Sequence, residues 1–284
     1  MFLIIPSLAA IFGVILVPFI NSLILSLLRR DLSRPQMNAF VGLENYLNLL
    51  QDPRYLNSFQ VTLTFSLISV LLEIALGVGF ALVLNQHFKG QGFVRGLMIL
   101  PWAMPAIVNA AMWKWIYNAD YGALNALLTQ LRLLDAYQVW LADPNMAMAL
   151  IILANVWKET PFTTILVLAA LQGIPTDLSE AAIVDGASAW QRFFYITLRL
   201  LLPVILVAGL LQFIWGFQTF ELAYIITGGG PFSSTELVSL RVYAITFRSL
   251  RFGYGAALAY LTALILLVPA IAYIRAAYRS IVEY

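Results

Sequence analysis

The hydrophobic positions of this chain fall into six long runs that are separated by more polar stretches. Each run approaches or exceeds the roughly 20 apolar residues that a helix needs to cross a membrane. Membrane β-barrels are built instead from segments of about ten residues with alternating polarity. The pattern therefore predicts an all-α integral membrane protein with six transmembrane helices in one domain, residues 1–284. The predicted spans are residues 2–28, 61–84, 96–117, 146–171, 200–220 and 252–274, with a polar loop at 172–199.

The composition agrees with this class. Of the 284 residues, 62% are hydrophobic and 11% are charged, whereas soluble domains carry about 25% charged residues. The chain has no Cys and a single His, His87. This argues against a thiolate or histidine-based site, so we expect neither catalytic residues nor a metal site. The first run lacks a basic n-region and a small-residue cleavage site, so we expect a retained helix and not a signal peptide.

An even number of spans places both termini on one side of the membrane, but the charges do not identify that side. With cytoplasmic termini, the inner side would carry Lys89, Arg95, Arg192, Arg199, Arg275 and Arg279. The outer side would carry Arg29, Arg30, Arg34, Arg54, Arg132, Arg241, Arg248 and Arg251. Cytoplasmic loops normally hold the excess of Lys and Arg, so this count favours the opposite orientation. We expect cytoplasmic termini only because of a motif in the loop at 172–199.

That loop predicts two short helices outside the lipid. Asp177, followed three residues later by Glu180, fits a capping box at the start of the first helix. Asp185-Gly186 ends this helix, because Gly readily adopts the positive φ of a sharp turn. Small residues let another backbone approach, and the carboxylates of Glu180 and Asp185 could pair with a partner's arginines. An ordinary connection between two membrane helices is the alternative.

The loop carries the string Glu180-Ala181-Ala182-x-x-Asp185-Gly186-Ala187, followed by Phe193. This string resembles the EAA loop of ABC-importer permeases. The family pattern continues with Leu-Pro, whereas this chain has Leu198-Arg199 and its next proline is Pro203. Four more strings resemble carbohydrate permeases of the maltose, trehalose and glycerol-phosphate type. They are VGLENYLNLLQDPRY (41–55), VWKETPF (156–162), FQTFELAYIITGGGP (217–231) and VYAITFRSLRFGYGAALA (242–259). In the third string, Gln218 and Glu221 stand where the family often has Asn and Asp.

The resemblance implies the ABC type I importer permease fold and a permease subunit that translocates a sugar by alternating access. The implied substrate is a di- or oligosaccharide. The residues implied to couple the permease to an ATPase are Glu180, Ala181, Ala182, Asp185, Gly186, Ala187 and Phe193. The implied partners are a second homologous permease subunit, two ATPase subunits that bind ATP and Mg, and an extracytoplasmic sugar-binding protein.

The resemblance also implies a multi-pass protein of a prokaryotic cytoplasmic (inner) membrane, surrounded by lipid and with both termini cytoplasmic. No nucleic-acid partner is expected. The sequence lacks the G-x-x-x-x-G-K-[ST] loop that cradles nucleotide phosphates. We therefore expect no cofactor in this chain and no enzymatic activity of its own.

Ionisable residues inside membrane spans are costly and mark functional sites by default. The intramembrane charges predicted here are Glu73, Lys158, Glu159 and Glu221. They either line a hydrated sugar path or hold the bundle together, through an ion pair of Lys158 with Glu73 or Glu221.

Pro161 cannot donate to the carbonyl of Trp157, one turn earlier in the fourth span. Irregular backbone at membrane depth tends to line protein or water-filled space. Aromatic faces and amides suit the CH faces and hydroxyls of a sugar. The candidate residues of the substrate path are Asn155, Trp157, Trp215 and Gln218, and packing within the bundle is the alternative for each.

Other functions stay open. The same machine could carry a polyol or a glycerol phosphodiester. An ion-coupled secondary transporter would show paired repeats and an essential carboxylate at the midplane; Glu73 could serve, but no repeat is visible. An intramembrane enzyme would need a nucleophile–base set or metal ligands, which the composition does not favour.

Overall fold

The structure is a computed structural model that describes residues 12–282. Its helices in chain order are α1 (Val17–Ser26), α2 (Glu44–Leu50), α3 (Pro53–Leu84), α4 (Gln91–Ala103), α5 (Ala106–Ile116), α6 (Ala123–Gln130), α7 (Pro144–Gln172), α8 (Thr176–Val184), α9 (Ala189–Arg192), α10 (Leu198–Gln218), α11 (Val238–Tyr243) and α12 (Phe252–Val282). Turns of π-helix lie at Phe12–Leu16, Phe193–Thr197, Ala223–Thr227 and Ala244–Arg248, and 3₁₀ turns lie at Pro35–Met37 and Trp140–Ala142. Two short strands, β1 (Leu28–Arg29) and β2 (Ala39–Phe40), pair antiparallel. The predicted all-α class is confirmed.

Within residues 12–282, four helical segments are long and apolar enough to cross a membrane: Pro53–Leu84, Pro144–Gln172, Ala189–Thr227 and Phe252–Tyr273. Helices α4 and α5 taken together are also long and apolar enough to cross a membrane, as one span that is broken between them. The first predicted span is represented by the shorter apolar helix Phe12–Ser26, and the earlier part of that prediction lies outside the described residues.

The predicted third span is not a straight helix. Helices α4 and α5 meet at an angle of 94°. Met104 between them is extended, with φ −75° and ψ 133°, as expected for a residue that precedes a proline. Pro105 then caps α5, whereas Pro101 lies inside α4. The second proline therefore breaks the span and the first does not.

The EAA loop is also less separate from the bundle than its sequence predicts. Helix α9 passes through the π turn Phe193–Thr197 directly into α10, so the helix continues without a break from Ala189 to Gln218. The membrane-length segment then extends to Thr227 beyond a break at Thr219 and Phe220. Pro203 lies inside α10. The second short helix of the loop is thus a direct extension of the helix that forms the fifth span.

The chain divides into two compact units. The first comprises residues 12–60 and 237–269 of the described part. Its core contains Leu49, Tyr55, Val238, Ile245, Tyr254, Ala257 and Leu258. Asp52 joins the segments of this unit, because its carboxylate lies 3.2 Å from the Tyr254 hydroxyl and 3.5 Å from Arg241 Nη2.

The second unit comprises residues 61–236 and 270–282 of the described part, and α3 packs closely against α7 and α10 within it. One face of α3 is buried and unusually polar for a membrane helix; it consists of Thr62, Ser66, Ser69, Glu73 and Gly77. Small residues on such a face let neighbouring helices approach to backbone distance. A Cβ atom added to Gly216 of α10 would lie 2.6 Å from Ser66 Oγ.

We expect Gly77→Ala to destabilise the bundle. An added Cβ would lie 2.6 Å from Thr163 Cγ2 and 2.8 Å from Thr163 Cβ of α7, so the two helices would have to separate. Overpacking of this kind costs about 1–3 kcal/mol. The matched control is Gly79→Ala, because Gly79 lies on the same helix and a Cβ there meets nothing within 4 Å. The measurement is the thermal unfolding midpoint in detergent, and equal midpoints for the two variants would contradict the close packing of α3 on α7.

Candidate functional site

A polar cavity of about 200 Å³ lies inside the second unit. It is lined by Ala106, Asn109, Asn155, Lys158, Glu159, Trp215, Gln218, Thr219, Glu221 and Leu222. The structure thus brings together three of the four predicted path residues and three of the four predicted intramembrane charges. We refer to this space as the polar cavity.

Two helix breaks border the polar cavity. One is the break before α5, which places Ala106 and Asn109 at the wall. The other follows Gln218, the last residue of α10, because Thr219 leaves the helical region with ψ 119°. Non-helical backbone at membrane depth is tolerated where it lines protein or a water-filled cavity. The third wall is α7, which supplies Asn155, Lys158 and Glu159.

The ion pair at the polar cavity differs from the prediction. Lys158 Nζ lies 2.6 Å from Oε1 of its neighbour Glu159, and both side chains are 15% exposed. Lys158 is therefore paired within its own helix, and the expected interhelical pair with Glu73 or Glu221 is wrong. The two opposite charges neutralise each other at the wall of the cavity, while Glu221 contributes a further carboxylate.

Glu73 lies away from the lining. Its side chain is 1% exposed, and Oε1 accepts a hydrogen bond of 2.9 Å from Asn155 Nδ2. Asn155 thus links α7 to α3 through this hydrogen bond and also lines the polar cavity. Gln212 of α10 similarly binds α7, since its Nε2 donates to the Glu159 carbonyl over 3.1 Å. These contacts join α3, α7 and α10 around the polar cavity.

Trp157 is the predicted path residue that the structure does not bring to the polar cavity. It lines a separate apolar cavity of about 430 Å³, together with side chains that include Leu76, Phe80 and Pro161. Its ring packs edge-on against Trp113, with 5.7 Å between the centroids. Helix α7 also continues through Pro161. The helix is therefore not interrupted between Trp157 and Pro161, contrary to what the sequence had suggested. The position of Trp157 is explained by its packing in the bundle.

Asn109 is the residue that the sequence analysis missed. It is fully buried, and neither atom of its amide has a hydrogen-bond partner among the described residues. Buried polar groups are almost always paired, so an unpaired amide at the wall of a cavity indicates a ligand or water partner. The available signal was an amide one turn after Pro105 in a membrane span, where the spacing alone did not show which way it faces.

The EAA segment, defined as residues 176–197, forms a tight turn between α8 and α9. Gly186 has φ +79°, the left-handed conformation that favours glycine. The Gly186 amide donates to the Ile183 carbonyl over 3.0 Å, and the Ala187 amide donates to the Ala182 carbonyl over 2.9 Å. These two bonds form a Schellman motif that ends α8.

The capping box is found at the other short helix. Helix α8 begins at Thr176 after Pro175, without a side-chain cap, so the predicted box of Asp177 and Glu180 is wrong. Ser188 instead caps α9: its backbone amide donates to Gln191 Oε1 over 2.7 Å, and the Gln191 amide donates to Ser188 Oγ over 3.3 Å. A box after the turn rather than before it fixes the direction in which α9 leaves Gly186.

Most of the EAA segment is exposed. Glu180, Ala181, Asp185 and Gly186 are exposed, and Ala182 and Ala187 are half-buried. Large apolar side chains are exposed beside them: Val184 is 87% exposed, and Trp190 and Tyr195 are each 73% exposed. An apolar patch beside polar residues is typical of a protein interaction site.

Phe193 has a different position from the other residues of the motif. It packs against the buried cluster of Val78, Ala81, Leu84, Val167, Leu168, Leu171, Leu201 and Ile205. These residues come from the ends of α3 and α7 and the beginning of α10. Phe193 therefore connects the exposed segment to the helices of the bundle.

Comparison with known proteins identifies the family. Residues 73–280 match the family described as binding-protein-dependent transport system inner membrane component. The chain belongs to this family. The matched region contains every residue of the polar cavity and the whole EAA segment. The chain is accordingly a membrane component of a transport system and not an enzyme.

Individual relatives match most of the chain. The trehalose/maltose transport system permease protein MalF of Thermococcus litoralis is 41% identical over 274 residues, which is 96% of this chain and 91% of the relative. The sulfoquinovosyl glycerol transport system permease protein SmoG of Agrobacterium fabrum is 39% identical over 220 residues, or 78% of this chain and 71% of the relative.

Solved structures confirm the importer permease fold. One chain of a bacterial alginate ABC transporter, solved in complex with alginate pentasaccharide-bound periplasmic protein, superposes with a TM-score of 0.80. The match covers 95% of this chain and 91% of that chain at 22% sequence identity. The fold predicted from the EAA string is therefore present over nearly the full length.

The two buried asparagines give a matched test. Asn109→Leu removes an amide without a partner, so we expect the free energy of unfolding to stay within about 1 kcal/mol of wild type or to rise. Substrate transport should nevertheless fall. Asn155→Leu removes the donor to Glu73 and should destabilise the fold by about 1–3 kcal/mol. The measurements are unfolding of the purified transporter and substrate uptake in vesicles. Full uptake by Asn109→Leu, or equal destabilisation by both changes, would argue that Asn109 only packs.

Proposed function

We propose that this chain is one transmembrane half of an ATP-driven importer for a di- or oligosaccharide. The observation that carries the proposal is the 41% identity with a trehalose/maltose permease protein across 96% of the chain. The geometry of the polar cavity adds chemical support that is independent of this likeness.

The polar cavity has the groups that a sugar needs. Amides of Asn109, Asn155 and Gln218 can donate to and accept from hydroxyl groups. Trp215 supplies an aromatic face for the CH face of a pyranose ring; Phe162 lies 4.8 Å from it, centroid to centroid, and restricts its position. The Lys158–Glu159 pair offers a donor and an acceptor without net charge. Glu221 adds a further carboxylate, so the wall has no excess positive charge and suits a hydroxyl-rich sugar better than an anion.

The size of the cavity supports a second permease subunit. Its volume is about 200 Å³, whereas ligand sites usually enclose about 300–1,000 Å³. One chain therefore provides part of a path for a disaccharide, and a homologous chain would provide the rest. In alternating access, the two halves would rock around the sugar and open it to one side at a time.

The EAA segment is the proposed contact with the ATPase subunits, which would bind ATP and Mg. Glu180 and Asp185 offer carboxylates, and Val184, Trp190 and Tyr195 offer apolar surface that the lone chain leaves exposed. Because α9 continues into α10, a displacement of this segment moves the fifth span as a lever. Phe193 transmits the same displacement to α3 and α7 through the buried cluster.

This assignment sets the proposed orientation in the membrane. Both termini and residues 85–95 and 172–199 lie in the cytoplasm, where ATP is available. Residues 29–60 lie outside, where a sugar-binding protein would deliver the substrate.

The alternatives make different demands on the site. A polyol or a glycerol phosphodiester would use the same amides. The phosphodiester is an anion, so it would also need a cation such as the Lys158 ammonium, which is already paired with Glu159. An ion-coupled transporter that used Glu73, as the sequence suggested, would need this carboxylate to be accessible, but Glu73 is enclosed and hydrogen-bonded to Asn155. The paired Glu73 supports a structural role for this residue.

We expect uptake of radiolabelled trehalose or maltose only when the chain is reconstituted with a second permease, the ATPase, ATP inside the vesicle and the binding protein outside. The chain alone in liposomes should show no saturable uptake, because it has no phosphate loop and only part of a path. Glu73→Gln should keep at least half of the uptake, since its amide oxygen can still accept from Asn155. ATP-independent accumulation that Glu73→Gln abolishes would instead establish an ion-coupled transporter, and competition by a glycerol phosphodiester but by no sugar would change the substrate class.

We expect Gly186→Val to uncouple ATP hydrolysis from the binding protein. A β-branched side chain at φ +79° costs about 1–3 kcal/mol of backbone strain, so α9 would leave the turn in another direction. Glu180→Ala should weaken ATPase docking about tenfold by removing one charge-assisted contact. The measurement is the ATPase rate with and without sugar-loaded binding protein, together with retention of the ATPase in a pull-down.

Two controls make this test specific. Gly186→Asn retains a residue that tolerates the left-handed conformation, and Asp177→Ala removes a carboxylate from the same short helix. Both should keep stimulation close to wild type. Normal stimulation and ATPase retention in Gly186→Val and Glu180→Ala would show that the EAA segment is only a connection, and would also remove the support for a cytoplasmic location of residues 172–199.

A further inference from the structure

The first unit contains a second cavity, of about 460 Å³, whose wall is strongly basic. Four arginines line it, namely Arg29, Arg30, Arg34 and Arg251. The acidic residues at the same wall are Asp31 and Glu44. Four positive and two negative charges leave a net charge of +2 at this wall, which equals the net charge of the whole chain. We refer to it as the arginine cavity.

Part of this charge is already matched inside the protein. Arg29 Nη2 lies 2.5 Å from Glu44 Oε1. The Asp31 carboxylate accepts hydrogen bonds from the Ser33 amide, over 2.9 Å, and from the Ser33 hydroxyl. The bond from the Ser33 hydroxyl is the main cause that lowers the pKa of Asp31 below its ordinary value, so Asp31 is ionised at neutral pH. Among the described residues, Arg30 and Arg34 have no carboxylate within ion-pair distance.

Backbone hydrogen bonds hold the basic wall in place. The Leu32 amide donates to the Leu250 carbonyl over 3.0 Å, and the Gly253 amide donates to the Arg30 carbonyl over 3.2 Å. Asp31 also forms an antiparallel bridge with Arg251. Segments distant in sequence are thereby fixed against each other. The backbone that carries the arginines is therefore ordered before any ligand binds. Such preorganisation lowers the entropic cost of binding a ligand.

The surroundings of the arginine cavity indicate a membrane boundary. Arg29 follows the end of α1 at Ser26 by three residues, and Arg251 immediately precedes α12. Helix α2 turns Glu44, Asn45 and Asn48 toward the cavity. Its other face is apolar and exposed: Leu43, just before the helix, is 65% exposed, Leu47 is 60% exposed and Leu50 is 54% exposed. A short helix with one polar and one exposed apolar face is typical of the lipid interface.

We propose that the arginine cavity binds the phosphate of an anionic phospholipid headgroup. The guanidinium group matches phosphate oxygens in a bidentate geometry, and basic residues beside membrane helices attract anionic lipids. The arginines that line the cavity would take the phosphate, while the apolar face of α2 and the exposed ring of Phe40 would face the acyl chains at the boundary. This inference goes beyond the proposed function, because it does not depend on which substrate crosses the membrane.

The test is lipid binding by the purified full transporter, measured by native mass spectrometry after delipidation. The probes are dioctanoyl phosphatidylglycerol, dioctanoyl phosphatidylcholine and inorganic phosphate. The test variant is Arg30→Gln/Arg34→Gln, which leaves the Arg29–Glu44 ion pair intact. The matched control is Arg54→Gln, an exposed arginine of the same unit that does not line the cavity.

We expect the wild type and Arg54→Gln to bind phosphatidylglycerol more tightly than phosphatidylcholine, and the double variant to bind it about tenfold more weakly. Arg30→Lys/Arg34→Lys should bind more tightly than the Gln double variant, because it retains the charge but not the bidentate geometry. Equal binding of phosphatidylglycerol by wild type and the Gln double variant would overturn the proposal. Inorganic phosphate that binds as tightly as the lipid would overturn the lipid assignment. If the Gln double variant bound the lipid as tightly as wild type but bound the sugar-binding protein more weakly, the arginines would belong to a protein interface instead.

Discussion

A polar side chain buried in a membrane bundle must find its hydrogen-bond partner within the protein, because the lipid offers none. The second unit of this protein depends on that constraint. Glu73 of α3 accepts from Asn155 of α7, and Gln212 of α10 donates to the carbonyl of Glu159 of α7. These contacts join the three helices, and glycines at Gly77 and Gly216 let the helices approach closely. Among the described residues, the buried polar groups without a hydrogen-bond partner include Ser66, Ser69 and Asn109, and Asn109 is the one of them that lines the polar cavity.

The same unit links its two candidate sites through packing. The polar cavity lies where α5, α7 and the end of α10 meet, and the EAA segment lies at the other end of α10. A continuous helix and the buried cluster around Phe193 connect the two. Because a packed core transmits displacement instead of absorbing it, motion of the exposed segment would reach the walls of the cavity. The proposed coupling between ATP hydrolysis and sugar movement would consist of this transmitted displacement.

The arginines of the first unit explain why a count of charges does not give the orientation. Arg29 pairs with Glu44, Arg241 pairs with Asp52, and Arg251 lies over the Tyr254 ring at 4.5 Å. The positive-inside rule counts basic residues in loops as if they were free, whereas these are engaged in the fold. In the proposed orientation, the lipid phosphate proposed for the arginine cavity would offset part of the cost of placing its basic groups outside.

The sequence by itself determined the properties that depend on neighbouring residues. Long apolar runs specified a helical membrane protein, and the string from Glu180 to Ala187 specified the importer permease fold that the comparisons confirm. The turn at Gly186 was predictable, because a Gly after Asp in a helical stretch permits a positive φ. Asn155 and Gln218 were predictable as residues of the cavity wall, because a polar side chain inside a membrane span is costly unless it faces the bundle interior or a water-filled cavity.

Only the tertiary structure decided the partners and directions of these side chains. The hydrogen bond between Glu73 and Asn155 joins residues 82 positions apart, and no local pattern distinguishes it from the ion pair that was expected. Trp157 and Trp215 are alike in sequence context, but one faces an apolar recess and the other a polar cavity. Pro101 and Pro105 are equally capable of bending a helix, yet only the second coincides with the 94° break. Local sequence fixes which conformations a residue can adopt, whereas the packing of distant helices selects the one that buries apolar surface and pairs the polar groups.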